Sequence, residues 1–458
     1  MMHFYVISIF VVPMSQPIKL SDNFNYSKLL KFTLPSIGMM IFTSIYGNVD
    51  GFFVSNFAGK IPFAAVNFVW PILGMLGVIG FMFGAGGNAI VSRFLGQRFK
   101  GKAQAVFSML VYLTIALGAL IAILGFVFLR PLLLWLGASE EMHPYCMAYG
   151  KIILAALPAV LLQYMFQSFF ATAEKPKLGL YFTLAAGITN MVLDALFIGV
   201  FKWGVQGAAA ATVLGCVVGG IGPLIYFALP NNSLLRLRKF KFFGRALVET
   251  CVNGSSELLS SVSMSLVSML YNFQLMRYIG ANGVAAYGTI MYVCYVYVSL
   301  YLGYSVGVAP IIGFNYGAKN TDEQKNIFRK SLVIILGFAI ALTAMAEILA
   351  GVISEIYVGY DPELLSLTTR ALRIYSLSFM LCGFNIFGSA LFTAFGNGPV
   401  SAGISFFRTL VCETVAILVL PMIFGLNGIW FAIIFAEFVS LLLTGFFIIR
   451  YKSRYGYL

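Results

Sequence analysis

The deepest ionisable side chains within the apolar stretches of this chain are Asp50, Asp194, Glu257, Glu347, Arg408, Glu413 and Glu437. A charge held at the middle of a bilayer costs roughly 2.5–3.5 kcal/mol on insertion scales, so each of them asks for a partner or a task. Their types bound the chemistry. Carboxylates, together with the amide of Asn190 and the hydroxyl of Thr212, are hard oxygen donors suited to Na⁺ or to a shared proton. Thiolate and imidazole chemistry is not expected. The six cysteines (Cys146, Cys216, Cys251, Cys294, Cys382, Cys412) show no CxxC spacing and read as buried apolar fillers, and His3 and His143 are the only histidines. No Ser/His motif or paired acidic motif near a membrane face points to an intramembrane enzyme, and no cofactor is expected.

The elements that position these groups are membrane spans. Of the 458 residues, 60% are apolar and only 10% charged, whereas soluble domains carry roughly 25% charged residues. Apolar runs of spanning length fall at 31–57, 63–92, 104–129, 147–172, 179–200, 206–229, 247–276, 284–313, 331–354, 367–394, 400–420 and 429–449. The expected fold is an all-α integral membrane protein of twelve helices, with kinks offered by Pro35, Pro71, Pro158, Pro223, Pro310 and Pro421. The apolar run at 4–13 is too short to span and lacks the basic flank of a signal peptide; it reads as an over-extended start or a loose tail. Counting Lys and Arg in alternate loops gives 21 on the side of both termini, 5 on the other and 3 inside the spans. That bias predicts both termini in the cytoplasm of a multi-pass inner-membrane protein. It also accounts for the net charge of +13 as contacts to lipid headgroups, so nucleic acid is not an expected partner.

The chain matches itself at an offset of 221 residues. Gly59, Ala64, Ala65, Ile90, Gly96 and Phe107 meet Gly280, Ala285, Ala286, Ile311, Gly317 and Phe328; Thr172, Ala173, Gly204 and Gly207 meet Thr393, Ala394, Gly425 and Gly428. Each half then holds six spans, an even number, so the repeats are parallel and form two lobes around a central cleft. The expected organisation is a cytoplasmic tail (1–26), a first lobe (27–229), a basic linker (230–246), a second lobe (247–449) and a short tail (450–458).

At about 1.5 Å per residue, Asp50, Asp194 and Thr212 come to one level, roughly 10 Å from the outer face. Asn190 is one turn from Asp194 on the same helix face. These four are the candidate coupling site for Na⁺ or a proton; the bland alternative is that the two acids only bond helices together. The polar groups are not duplicated: at offset 221 Asp50 meets Tyr271, Asn190 meets Val411, and Asp194 meets Val415, while Glu257, Arg408 and Glu413 meet Ser36, Gly187 and Val192. A second polar network of Glu257, Arg408, Glu413 and Glu437 is therefore expected in the second lobe, with a Glu257–Arg408 ion pair at its heart. The aromatic run Tyr287, Tyr292, Tyr295, Tyr297, Tyr301 and Tyr304 offers Tyr292 and Tyr295 as candidate ring faces in the cleft for a cationic compound.

The chain also resembles the multidrug and toxic compound extrusion (MATE) family over about residues 25–450. The stretches that carry the likeness are VDGFFVSNFAG (49–59), FAAVNFVWP (63–71), GFMFGAGGNAIVSRFLGQ (80–97), NMVLDALFIGVFKWGVQGAAAAT (190–212), GANGVAAYG (280–288) and GFNYGAK (313–319). The resemblance implies a V-shaped, monomeric antiporter that exports small organic cations in exchange for Na⁺ or H⁺. It implies an ion site at Asp50, Asn190, Asp194 and Thr212. Some relatives use second-lobe acids, and Glu257 matches one such position. The acid often paired with it on the tenth span is missing, since 367–394 contains no Asp or Glu. The alternative reading is a lipid-linked oligosaccharide flippase of the same superfamily, which would need a strongly cationic cavity, and only Arg408 lies deep.

Overall fold

A computed structural model describes residues 18–458; the apolar run at 4–13, most of the expected tail and His3 lie outside the described residues. The described chain is helical because lipid offers no partner for backbone N–H and C=O groups, which must then bond within each span. Ten helices are long and apolar enough to cross a membrane, and two bent pairs raise the number to twelve. In chain order they are α1 (Tyr26–Ala58), α2 (Lys60–Gly96), α3 (Lys100–Trp135), α4 (His143–Ala155 with Leu157–Thr172), α5 (Pro176–Val200), α6 (Gly204–Ala228), α7 (Gly244–Ile279), α8 (Ala281–Gly317), α9 (Thr321–Val358), α10 (Pro362–Ser376 with Phe379–Ala394), α11 (Gly398–Phe424) and α12 (Leu426–Tyr455). Each contains or closely overlaps one of the apolar runs. The ends that extend beyond those runs are polar turns with their own start signals: Asn25 accepts from the Lys28 N–H, Asn320 from Glu323, and Asp361 from Glu363 and Leu364.

Two spans that read as continuous in sequence are broken. α4 bends by 60° and α10 by 46°. In α4 the bend falls at Ala156, directly before the Leu157–Pro158 helix start, and the missing N–H of proline explains it. In α10 it falls at Leu377–Ser378 without a proline.

The repeat is written into the backbone. Residues with positive φ end or begin helices in pairs, Gly59 with Gly280, Arg98 with Lys319 and Gly204 with Gly425, each pair 221 residues apart. The boundaries of α1–α6 therefore recur in register in α7–α12. The halves meet through α1 against α8, α2 against α7, and α2 against α8, the first two contacts being images of each other under the repeat.

These contacts are closest at the end that carries the basic loops. A Cβ added to Gly254 of α7 would lie 2.0 Å from the Met82 carbonyl of α2, and one on Gly96 of α2 would lie 2.0 Å from the Phe314 carbonyl of α8. Toward the other end of the same helices, Gly47, Gly51 and Gly288 have nothing within 4 Å. The lobes thus touch backbone to backbone at one end, whereas these glycines toward the other face open space. An ion pair, Arg93 Nη2 to Glu249 Oε2 at 2.8 Å, and the segment before α1 reinforce the closed end. The Leu20 N–H donates to Glu174 of the first lobe, and the Phe24 N–H donates to Glu323 of the second, with Leu20 and Phe24 buried. Burial pushes the Glu174 carboxyl above its ordinary range, against the pull of the Leu20 N–H.

Gly254→Ala should separate α2 and α7 and lower the melting temperature of the detergent-solubilised protein, by the ~1–3 kcal/mol typical of overpacking. Gly337→Ala, whose Cβ meets nothing, should leave melting unchanged or raise it slightly. Equal melting of the two variants would contradict this account of the closed end.

Candidate ion and substrate site

Asp50 lies in the last regular turns of α1, directly before a π-helical stretch at Val54–Ala58. Asp194 closes the regular part of α5, before a second π-helical stretch at Ala195–Val200. Such turns widen the helix and re-aim side chains, and they gather at functional positions. Asn190 precedes Asp194 by one turn. Thr212 comes from α6, which approaches α5 because Gly215 has no side chain: a Cβ there would lie 3.1 Å from the Asn190 Cβ.

The structure brings the two acids together. The carboxyl groups of Asp50 and Asp194 lie near enough for each to act on the other, and Asn190 lies beside Asp194. Asp194 is fully buried and Asn190 nearly so. Both Asp194 oxygens, Asp50 Oδ1, the oxygen and nitrogen of Asn190 and Thr212 Oγ1 all lack a hydrogen-bond partner among the described residues. Buried polar atoms without partners are rare, and here they share one niche. Two ionised carboxylates are acceptors only, so their approach is not itself a bond. A proton or a small cation between them would make it one. Sequence reasoning missed one member. Tyr149 of α4, fully buried with an unpartnered hydroxyl, lies near Thr212 and both acids. Its phenol is a neutral oxygen for the same niche. One tyrosine among 24 carries no signal of its own, and only its place just before the α4 break sets it apart. No three His, Cys, Asp or Glu converge among the described residues, so the donor set suits Na⁺ or H⁺ and not a transition metal.

The second lobe holds a cavity of about 330 Å³. Glu257, Arg408, Glu413 and Glu437 all line it, but the expected Glu257–Arg408 pair does not form. Arg408 is paired with Glu437 of α12: Nη2 and Nε lie 2.6 and 2.8 Å from the same Oε1. The other Glu437 oxygen accepts from Asn385 at 2.7 Å. Depth along a helix axis does not fix which way a side chain points. A π-helical stretch at Phe407–Glu413 turns Arg408 toward α12, whereas Glu257 sits on α7 with no ion pair or hydrogen bond among the described residues. Glu347 accepts from the Ser376 hydroxyl at 2.8 Å and stays outside the cavity. Of the two cleft tyrosines, Tyr295 lines the cavity, while Tyr292 stacks on Tyr357 of α9 with ring centroids 5.8 Å apart.

Comparison with known proteins agrees with the fold and its duplication. The family model described as MatE matches residues 35–196 and again 258–419. The chain is 26% identical over 430 residues to the multidrug export protein MepA of Staphylococcus haemolyticus, covering 94% of each chain. It is 24% identical to the protein of that name from Staphylococcus aureus strain MRSA252, over 90% of this chain and 91% of the other. Among solved structures, an outward-facing multidrug resistance MATE family transporter of the MOP superfamily superposes with a TM-score of 0.90 at 22% identity, covering 96% of this chain and 98% of that one. A MATE crystallised with MaL6 gives the same score and identity over 96% and 99%.

Arg408→Leu leaves Glu437 buried without its cation and should cost about 3–5 kcal/mol, read as loss of melting temperature or of folded yield. Adding Glu437→Gln should restore part of that loss, and adding Glu257→Gln should not. Rescue by Glu257→Gln alone would reinstate the pair expected from sequence.

Proposed function

The chain belongs to the MatE family, and from that premise we propose that it is a multidrug efflux transporter, not an enzyme, exporting small organic cations in exchange for Na⁺ or H⁺. The observation that carries the coupling claim is the Asp50–Asp194 pair with its unpartnered oxygens. The curated relatives it matches are multidrug export proteins, which supports the substrate class. The end with the basic loops is the cytoplasmic one by the charge bias of the loops, so both termini are cytoplasmic and the structure is the outward-open member of the cycle. Each chain contains both lobes and acts as a monomer in the inner membrane.

The mechanism is alternating access. In the outward-open state an external proton or Na⁺ enters the niche of Asp50, Asn190, Asp194, Thr212 and Tyr149. Neutralising the pair lets α1 and α5 close on each other around it, and the π-helical stretches beside both acids are where the helices adjust. The repacking of the first lobe lowers the affinity for organic cation in the cleft, releasing it outward. The lobes then part at the glycine-packed end and meet at the other, and the inward step returns the coupling ion to the cytoplasm. A flippase of lipid-linked oligosaccharide is not favoured, because the second-lobe cavity holds three carboxylates against one guanidinium.

In everted vesicles, Asp194→Asn should abolish accumulation of a fluorescent organic cation driven by an imposed Na⁺ or pH gradient, while membrane insertion stays at the wild-type level. Whichever gradient drives wild-type transport identifies the coupling ion. Full gradient-driven transport by the variant would remove the coupling role.

A further inference from the structure

The first half of α10, Pro362–Ser376, has two unlike sides. Leu364, Thr368, Ala371, Leu372 and Tyr375 are buried, where the half-helix packs on α8, α9 and α12. The other side carries Ser366, Thr369, Arg370 and Arg373, three and four residues apart and therefore stacked on one face. Ser366, Arg370 and Arg373 are exposed, and Thr369 is half-buried. With Ile374 these four line a surface groove of about 450 Å³. Neither guanidinium has an ion pair or a hydrogen bond among the described residues. Glu363, two turns before Arg370 on the same face, pairs with neither, and Glu347 of α9 accepts from the Ser376 hydroxyl instead.

The level of the groove follows from its neighbours. The Ser376–Glu347 bond sets the end of the half-helix against α9. From Glu347, α9 continues for eleven residues to Val358, about 16 Å at the usual rise, toward the face opposite the basic loops. Along that stretch Ile348, Val352 and Ile356 are exposed, followed by exposed Tyr357 and Tyr360. Exposed aliphatic side chains mark hydrocarbon, and exposed tyrosines mark its boundary with the headgroups. Arg373 and Arg370 precede Ser376 by roughly one and two turns, which brings them about 4–9 Å nearer that boundary. From there a long side chain reaches the phosphate layer of the outer leaflet.

An unpaired guanidinium beside hydrocarbon is costly unless an anion meets it. A phosphodiester supplies that anion, and its oxygens match the guanidinium fork two by two. The hydroxyls of Ser366 and Thr369 add uncharged donors beside it. Ile374 and the exposed Leu377 follow Arg370 and Arg373 by four residues each, so the polar face runs into an apolar strip toward the bilayer centre. That order, phosphate ligands above and aliphatic surface below, is the order of groups in a lipid.

We propose that Ser366, Thr369, Arg370 and Arg373 form a site for an anionic phospholipid of the outer leaflet, its phosphate between the two guanidiniums and its chains along Ile374 and Leu377. The site uses none of the buried acids and does not depend on the export reading. It also bears on the α10 break. The helix bends by 46° at Leu377–Ser378, directly below the groove. A bound lipid holds the tilted half-helix from the membrane side, while Glu347 holds it from α9.

The test is native mass spectrometry of the purified full-length chain, titrated in detergent with phosphatidylglycerol or phosphatidylcholine. The wild type should retain one phosphatidylglycerol under activation that strips phosphatidylcholine. Arg370→Gln/Arg373→Gln should weaken that retention about tenfold or more, as expected for two basic groups lost at a lipid headgroup. Arg130→Gln/Arg277→Gln removes the same charge from the same side of the protein and should leave retention unchanged. Ser366→Asp places a carboxylate in the groove and should weaken retention too, which keeps the test decisive if the arginine double variant misfolds. Inorganic phosphate should not displace the lipid. Wild-type retention in either folded groove variant would overturn the proposal, as would equal retention of phosphatidylcholine. An equal loss in Arg130→Gln/Arg277→Gln would reduce it to general surface charge. Displacement by inorganic phosphate would assign the groove to a soluble anion and refute the lipid.

Discussion

A carboxylate taken out of water is tolerated only when something compensates its charge, and this constraint shapes both lobes. In the second lobe Glu437 has a permanent answer, a guanidinium fork and an amide, and it ties α10, α11 and α12 together. In the first lobe Asp50 and Asp194 have each other, which is no answer while both are ionised. In the proposed cycle a proton or Na⁺ that comes and goes supplies it, and its departure favours a different packing of α1, α5 and α6. The difference between a fixed and an exchangeable counter-ion separates a structural pair from a coupling site.

The duplicated frame makes that division of labour visible. Helix ends, three pairs of positive-φ residues and the main contacts between lobes follow the 221-residue offset, but the polar side chains do not. Position 50 is an acid and its counterpart 271 a tyrosine; position 187 is a glycine against Phe42 and Tyr46, and its counterpart 408 is the arginine of a buried ion pair. The π-helical stretches diverge too. In α5 the stretch follows Asp194, whereas in α11 it precedes the equivalent position and carries Arg408 and Glu413. In the proposed cycle the symmetric scaffold rocks about one axis, while the asymmetric chemistry divides the tasks between the lobes.

Most of the frame was legible in the residues. In a membrane the apolar run and the helix are nearly the same object, so the spans, the two repeats and the loop charge bias needed only counting. The α10 break was not legible, since no proline marks it and packing alone bends the chain there. The level of Asp50, Asp194 and Thr212 was read from rise per residue, because depth is linear along a helix, and Asn190 from its place one turn from Asp194. Rotation about the axis is not, and it failed at Arg408, where a π-helical stretch directs the guanidinium to Glu437 and away from Glu257. Tyr149 was missed for a related reason: Pro158 marks the bend of α4, but not the rotation that turns Tyr149 toward the niche.

The central claim is that the buried Asp50–Asp194 niche holds an exchangeable positive charge. The most direct measurement is equilibrium uptake of ²²Na⁺, paired with proton uptake in weakly buffered solution, by purified wild-type protein and by the Asp50→Asn/Asp194→Asn double variant. The account predicts saturable uptake of one of the two cations by the wild type, lost in the folded double variant. Identical uptake of both cations by the two proteins would contradict it.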